Sequence, residues 1–305
     1  MYVSDLIETF FPGIANVRDM LRSCVVDFFY KPSDEVSEYI ISRLNHYGGK
    51  CMGYPSVWFV ASCLGYDNEA ELMSLIKASL PAIILSLSTS IMDDLFDGNE
   101  NVFIEDVIIF YYMMAYLITA LRDDSYAYEQ VLMAIQKAAS NIVFMKTKKL
   151  NLADDLNINT MATVNSDKIG IFYECIASCL IKSVDLDPTK KQDIIELTKY
   201  FGRWCAEIDD AIDTIDDLEN GVTDTYPILQ YKKIVSKIPV QNRSEVLNLI
   251  KTQTISRQKE KLILIINKLK SIDCDDFAKN IEERLDYISY EVFKKMALKN
   301  SGVVL

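Results

Sequence analysis

Apolar residues recur at helical spacing along almost the whole chain, in segments separated by short polar breaks. The pattern predicts helices at about 3–12, 14–30, 33–47, 55–64, 69–97, 103–121, 125–145, 158–184, 189–219, 226–236, 242–269 and 273–299. Breaks fall at 48–49 (GG), 98–101 (GNEN), 121–124 (LRDD), 152–157 (LADDLN), 187–189 (DPT) and 220–221 (NG). No alternating strand pattern, low-complexity stretch or Pro/Gly/Ser-rich linker interrupts them. The segments around 81–97, 103–121 and 165–184 are apolar on most sides, the mark of central helices in a bundle. The expected fold class is all-α, a single large helical domain over residues 1–305.

Composition supports a sizeable core: 50% of the 305 residues are hydrophobic, and Gly (10) and Pro (7) are scarce for a β-rich chain. The net charge of −12, without any long Lys/Arg cluster, argues against nucleic-acid binding. Seven cysteines are scattered; Cys175 and Cys179 share a helix face without a histidine to complete a zinc set, so buried thiols are expected. MYVSDLIETFF lacks the basic and apolar regions of a signal peptide. The longest apolar run, Val107–Leu121, is shorter than the roughly 20 residues of a spanning helix. A cytoplasmic, soluble protein with no transmembrane segment is expected.

Charge placement changes the picture. The stretch STSIMDDLFDGNE (88–100) ends an apolar helix in Asp93, Asp94 and Asp97, although helix C-termini favour cations. The same DDxxD spacing returns in EIDDAIDTIDD (207–217) as Asp209, Asp210 and Asp213. Asp93 pairs with Asp97, and Asp209 with Asp213, at i and i+4 on one helix face; Asp216 extends the second row at i+7. Either cluster alone reads equally as a solvated acidic helix end. Two of identical spacing on apolar helices, with carboxylates close enough to raise one another's pKa, call for a compensating cation. Oxygen donors without His or thiolate suit Mg²⁺, which keeps waters and bridges carboxylates to a phosphate.

On these residues the chain resembles the trans-isoprenyl diphosphate synthases and class I terpene synthases. HYGGKCMGYP (46–55) is similar to their GGKRxRP motif, SDKIGIF (166–172) to KTGxLF, FGRWCAEIDDAID (201–213) to the second aspartate-rich helix, and DLENGVTDTYPI (217–228) to the GKxTLP segment. The resemblance implies the isoprenoid synthase bundle with a central apolar cavity. It also implies a cluster of Mg²⁺ ions, three in number, held by Asp93, Asp97, Asp209 and Asp213 with Asp94 and Asp210 beside them. Lys168, with Arg203 and Lys50, would face the diphosphate. Ser88 and Thr89, one turn below Asp93, would floor a deep pocket for a C15 or C20 chain. Tyr112 and Phe172, with Tyr111, Tyr116 and Trp204, are candidate liners, though each reads singly as core packing. A homodimer is implied by the family.

The departures are as informative. No paired arginines follow Asp97, both arginines of GGKRxRP are missing, the Gln before the second motif falls at Ala206 and the GKxT lysine at Val222. These are largely the cations that hold isopentenyl diphosphate. The resemblance therefore points to an enzyme that ionises a prenyl diphosphate and cyclises it to a terpene. The alternatives are transfer to isopentenyl diphosphate or to an acceptor such as a peptide or glycolipid, and a non-catalytic regulatory subunit. Several side chains have local readings too: Arg203 pairing with Glu207 at i+4, Lys168 snorkelling, Asp123 and Asp124 solvated in a turn, and 273–287 a solvent-facing acidic face.

Overall fold

The computed structural model describes residues 3–11, 13–29, 53–96, 104–147, 155–219, 225–235 and 243–300. Among them the regular structure is helical throughout: α1 (Val3–Phe10), α2 (Gly13–Phe29), α3 (Tyr54–Leu64), α4 (Glu69–Phe96), α5 (Ile104–Leu121), α6 (Ser125–Thr147), α7 (Asp155–Ile181), α8 (Pro188–Ile212), α9 (Thr214–Glu219), α10 (Tyr226–Val235), α11 (Arg243–Ser271) and α12 (Asp275–Asn300). The all-α expectation holds, and most boundaries fall within a few residues of the periodicity. The expected helix at 33–47 lies outside the described residues.

Local chemistry sets the boundaries. Asn68, Asp124 and Asp187 accept backbone N–H groups of Glu71 (3.0 Å), Ala127 (3.0 Å) and Thr189 (2.8 Å), capping α4, α6 and α8. Pro188 then opens α8, where its missing N–H costs no helical bond. Gly65, at φ 69°, ends α3 in the left-handed conformation, and the N–H of Tyr66 returns to the Ala61 carbonyl at 2.9 Å.

The chain divides into two compact units, Met1–Gln136 with Phe172–Thr198, and Lys137–Ile171 with Lys199–Leu305. In the first, α4 packs against α2, α3 and α5, and α2 also packs on α3 and α1. Residues Ala82 to Ser88 of α4 are buried without interruption. Hydroxyls in this apolar helix are satisfied internally: Ser88 Oγ donates to Ile84 O (2.7 Å) and Thr89 Oγ1 to Ser86 O (2.8 Å). The span Glu69–Thr89 exceeds Val107–Leu121 and is, by length and composition only, long and apolar enough to cross a membrane; 61% of its most apolar window is buried by packing, as in a core helix. Helix α5 is not enclosed on all sides as its composition suggested: Tyr111, Ala115 and Ile118 form an exposed stripe.

In the second unit α11 packs along α12, α10 lies on α11, and α9 contacts α10 and α12. Trp204 is fully buried, stacked on Phe201 with ring centres 5.6 Å apart, and donates to the Gln258 carbonyl at 3.3 Å. Gly170 brings α7 against α8: a Cβ there would meet Arg203 Cγ at 2.9 Å and the Lys199 carbonyl at 3.1 Å. The acidic face of α12 is exposed as expected, with Lys270 on Glu282 and Lys259 on Asp286.

Candidate active site

The second aspartate cluster closes α8. The chain bends at Asp213, so the single helix expected over 189–219 is two, yet helical bonding runs through the bend: Asp213 N donates to Asp209 O at 3.0 Å and Asp217 N to Asp213 O at 2.8 Å. The carboxylates at 209, 213 and 217 therefore follow one another at four-residue intervals. Asp217 also belongs to the cluster: it accepts from Thr225 Oγ1 at 3.4 Å, and its charge reaches Asp210, while the side chain of Asp216 falls outside the described residues.

Asp209 and Asp213 are half-buried, whereas Asp210 is buried and accepts from Asn165 Nδ2 of α7 at 3.2 Å. Burial pushes the Asp210 carboxyl well above the ordinary range; the exposed Lys168 amine pulls it down, and Asp209, Asp217 and Glu207 push it further up. The snorkelling and ligand readings of Lys168 thus meet in one place, an exposed ammonium whose charge acts on the cluster.

Three expectations about neighbouring side chains are corrected. Arg203 does not pair with Glu207; its Nε donates to Asp167 Oδ1 at 2.6 Å across α7, where Lys199 also approaches at 4.0 Å. Tyr111 is 68% exposed rather than packed in a core, while Tyr112 and Tyr116 are half-buried with their hydroxyls 3.1 Å apart. Asp124 is not merely solvated: besides capping α6 it accepts from Lys182 Nζ at 2.7 Å. Trp204 is packed into the α8–α11 core, and Phe172 is half-buried. Cys175 and Cys179 are buried free thiols as expected.

Glu207 carries a network not read from the sequence. It is 1% exposed and accepts from Arg257 Nε (2.9 Å) and Nη2 (3.1 Å), from Gln258 Nε2 (3.1 Å) and from Lys261 Nζ, all on α11. Burial alone would raise its carboxyl, but Arg257 and Lys261 hold it below the ordinary value, and Arg257 is kept charged in turn. Burial holds Lys261 below the ordinary lysine value, while the Glu207 carboxylate draws it back up.

Asp93 and Asp94 lie in the last turn of α4, which contains no basic residue. The side chains of Asp93 and Asp94, and the whole of Asp97, Lys50 and His46, fall outside the described residues. Ser88 is buried and Thr89 half-buried on the preceding turn, with Leu85 and Ala82 buried below.

The donor set fits Mg²⁺. Asp209, Asp213 and Asp217 offer hard oxygens and negative charge, while burial and these neighbouring carboxylates disfavour charge on Asp210. Among the described residues no three or more Asp, Glu, His or Cys side chains form a cage that could hold a metal ion. Mg²⁺ needs no such cage, because it keeps several waters and takes substrate oxygens into its shell.

The fold defines the class: this is the all-α isoprenoid synthase fold. A decaprenyl diphosphate synthase from Rhodobacter capsulatus superposes with a TM-score of 0.67 at 14% identity, over 93% of this chain and 99% of its own. A heptaprenyl diphosphate synthase from Staphylococcus aureus gives 0.62 at 14% identity, over 88% and 98%. A geranylgeranyl pyrophosphate synthase gives 0.53 at 12%, over 93% and 98%. No family model and no curated protein matches the sequence.

Proposed function

We propose that the protein is a Mg²⁺-dependent enzyme that ionises an allylic prenyl diphosphate. The observation that carries this reading is the Asp209–Asp210–Asp213 cluster, with Lys168 acting on it, in a chain of isoprenoid synthase fold. Asp209 and Asp213 would hold Mg²⁺, with Asp217 extending the row. Asp93 and Asp97 join this role on their repeated sequence spacing. Bound Mg²⁺ supplies Lewis-acid stabilisation of the departing diphosphate. Lys168 adds a fixed positive charge where that oxyanion charge develops. Asn165 fixes the Asp210 carboxyl by its amide hydrogen bond, and Asp209, Asp213 and Asp217 supply the negative field that would draw the cation in. An apolar pocket would exclude water from the carbocation, with Ser88 and Thr89 leaving depth for a C15 or C20 chain.

Two fates of the cation follow from different observations. The missing arginines after Asp97 and in HYGGKCMGYP favour cyclisation, or transfer to an acceptor other than isopentenyl diphosphate, such as a peptide or glycolipid. The three neighbours are named as prenyl diphosphate synthases, which favours chain transfer at least as strongly. A regulatory role without catalysis has only the eroded motifs in its support, and two complete DDxxD clusters weigh against it. Incubation with Mg²⁺ and C10, C15 or C20 prenyl diphosphates, with and without isopentenyl diphosphate, separates these fates. Pyrophosphate release without isopentenyl diphosphate, giving hydrocarbon or alcohol, supports cyclisation. Elongated diphosphates formed only in its presence support ordinary transfer. No turnover with any acceptor, and no effect of Asp209→Ala on Mg²⁺ binding, would sink the enzymatic reading.

We read residues 1–305 as one catalytic domain, supported by a neighbour matched over 93% of this chain. A homodimer through α5 and α6 is supported by two apolar stripes left in the open: Tyr111, Ala115 and Ile118, and Tyr128, Leu132 and Ile135. A cytoplasmic setting is supported by the six cysteines among the described residues, all free thiols buried as apolar side chains.

A further inference from the structure

Glu207 stands two residues before Asp209, where the helix interior would ordinarily take an apolar side chain. A carboxylate 1% exposed is costly to bury unless its oxygens are filled. Here both are: Arg257 grips it at two points, Gln258 adds a third donor and Lys261 a fourth. The grip reaches further. Arg257 Nη1 donates to Asn159 Oδ1 of α7 at 2.7 Å, and the guanidinium lies 4.2 Å over the Tyr226 ring, the first residue of α10. Thr225, immediately before it, donates to Asp217. One guanidinium thus connects the helix entering the aspartate cluster, the helix carrying Asn165, and the start of the helix whose flank reaches Asp217. Each end of the stretch 209–217 is tied to Arg257, the front through Glu207 and the back through Tyr226 and Thr225.

We infer that Glu207 and Arg257 are positioning residues: their buried ion pair holds Asp209, Asp213 and Asp217 at the spacing that receives a Mg²⁺-bound diphosphate. This rests on the diphosphate chemistry proposed for that cluster. Neither side chain is available to touch substrate, since Glu207 spends its oxygens on α11 and Arg257 spends its donors on Glu207 and Asn159. The role is distinct from support of the fold in general. A merely structural pair, once weakened, lowers the melting temperature and leaves the affinity of the folded protein for its ligand unchanged. A positioning pair changes that affinity at temperatures well below the melt.

The test uses the full chain with Glu207→Gln, which keeps shape and removes charge, and Arg257→Lys, which keeps charge and loses the two-point grip. Calorimetry measures inorganic pyrophosphate binding at fixed Mg²⁺. Amide exchange measures protection over 208–219 against that over α12. The expected result is about tenfold weaker pyrophosphate binding in both variants, recovered by raising Mg²⁺, the scale typical of lost outer support around a metal ligand. Faster exchange confined to 208–219 should accompany it. Should Glu207→Gln not fold, Arg257→Lys carries the same comparison. Folded variants with wild-type pyrophosphate affinity and wild-type exchange over 208–219 overturn the inference. A wild-type protein that binds no pyrophosphate with Mg²⁺ removes the proposed chemistry instead, and the exchange comparison alone then decides whether the pair orders the stretch.

Discussion

Gly170→Ala sets two effects of opposite sign against each other. Alanine in a helix interior is favoured over glycine by about 1 kcal/mol, so on propensity alone the variant should be more stable. The structure argues otherwise. The new Cβ would lie 2.9 Å from Arg203 Cγ, 3.1 Å from the Lys199 carbonyl and 3.2 Å from Asp167 Oδ1. Arg203 could swing aside, but the carbonyl belongs to α8 and cannot move without the helix. Asp167 Oδ1 is the acceptor of the 2.6 Å bond from Arg203, so the methyl presses on both partners of one ion pair. Overpacking of this kind costs about 1–3 kcal/mol. The net expectation is a loss of about 1 kcal/mol, a fall in melting temperature of about 2 °C in a chain of this size. Urea unfolding should show a lower midpoint at unchanged slope. An Arg203→Ala background should reverse the sign in part, because the nearest contact is then gone and propensity returns. A Gly170→Ala protein more stable than wild type would refute the close approach of α7 to α8, and with it the placement of Lys168 beside the cluster.

Further perturbations read other parts of the molecule. Gly65 has open space around its Cβ position but φ 69°, so Gly65→Ala should cost about 1 kcal/mol through backbone strain alone, read as a midpoint shift in urea. Asp124→Ala should cost about 1 kcal/mol through the lost cap of α6, measured by thermal melts at neutral pH. Its Lys182 and Ala127 hydrogen bonds hold the carboxyl below the ordinary value, so the stabilisation is present above about pH 4 and fades as pH falls through the folded value. Wild type and variant should therefore converge in melts at acid pH, and a difference that persists there would count against the cap. Tyr111→Glu with Leu132→Glu should leave the far-ultraviolet spectrum unchanged and halve the sedimenting mass, while an unchanged mass removes α5 and α6 as the dimer face.

Helix positions were legible because each rests on information within a few residues: apolar spacing, an Asn or Asp cap, a glycine stop. The turn at Asp213 was not, because the acidic i, i+4 pattern runs straight through it and spacing alone cannot distinguish a continuous helix from one that bends with its hydrogen bonds retained. The partners of the charged side chains were hidden for a related reason. Local spacing offers Arg203 a carboxylate at i+4, worth a few tenths of a kcal/mol on an exposed face. Asp167, 36 positions away in sequence, offers a part-buried bond at 2.6 Å, and charge-assisted bonds of that length are among the stronger ones. Once Arg203 is taken by α7, Glu207 would be a bare charge in the core, a larger cost than any exposed pair can return. Its needs are met from α11, 50 residues on, by a side chain whose other contacts run to α7 and α10. The two pairings are thus one choice: α8 sends Arg203 to α7 and Glu207 to α11, and the aspartates that follow are held from both sides.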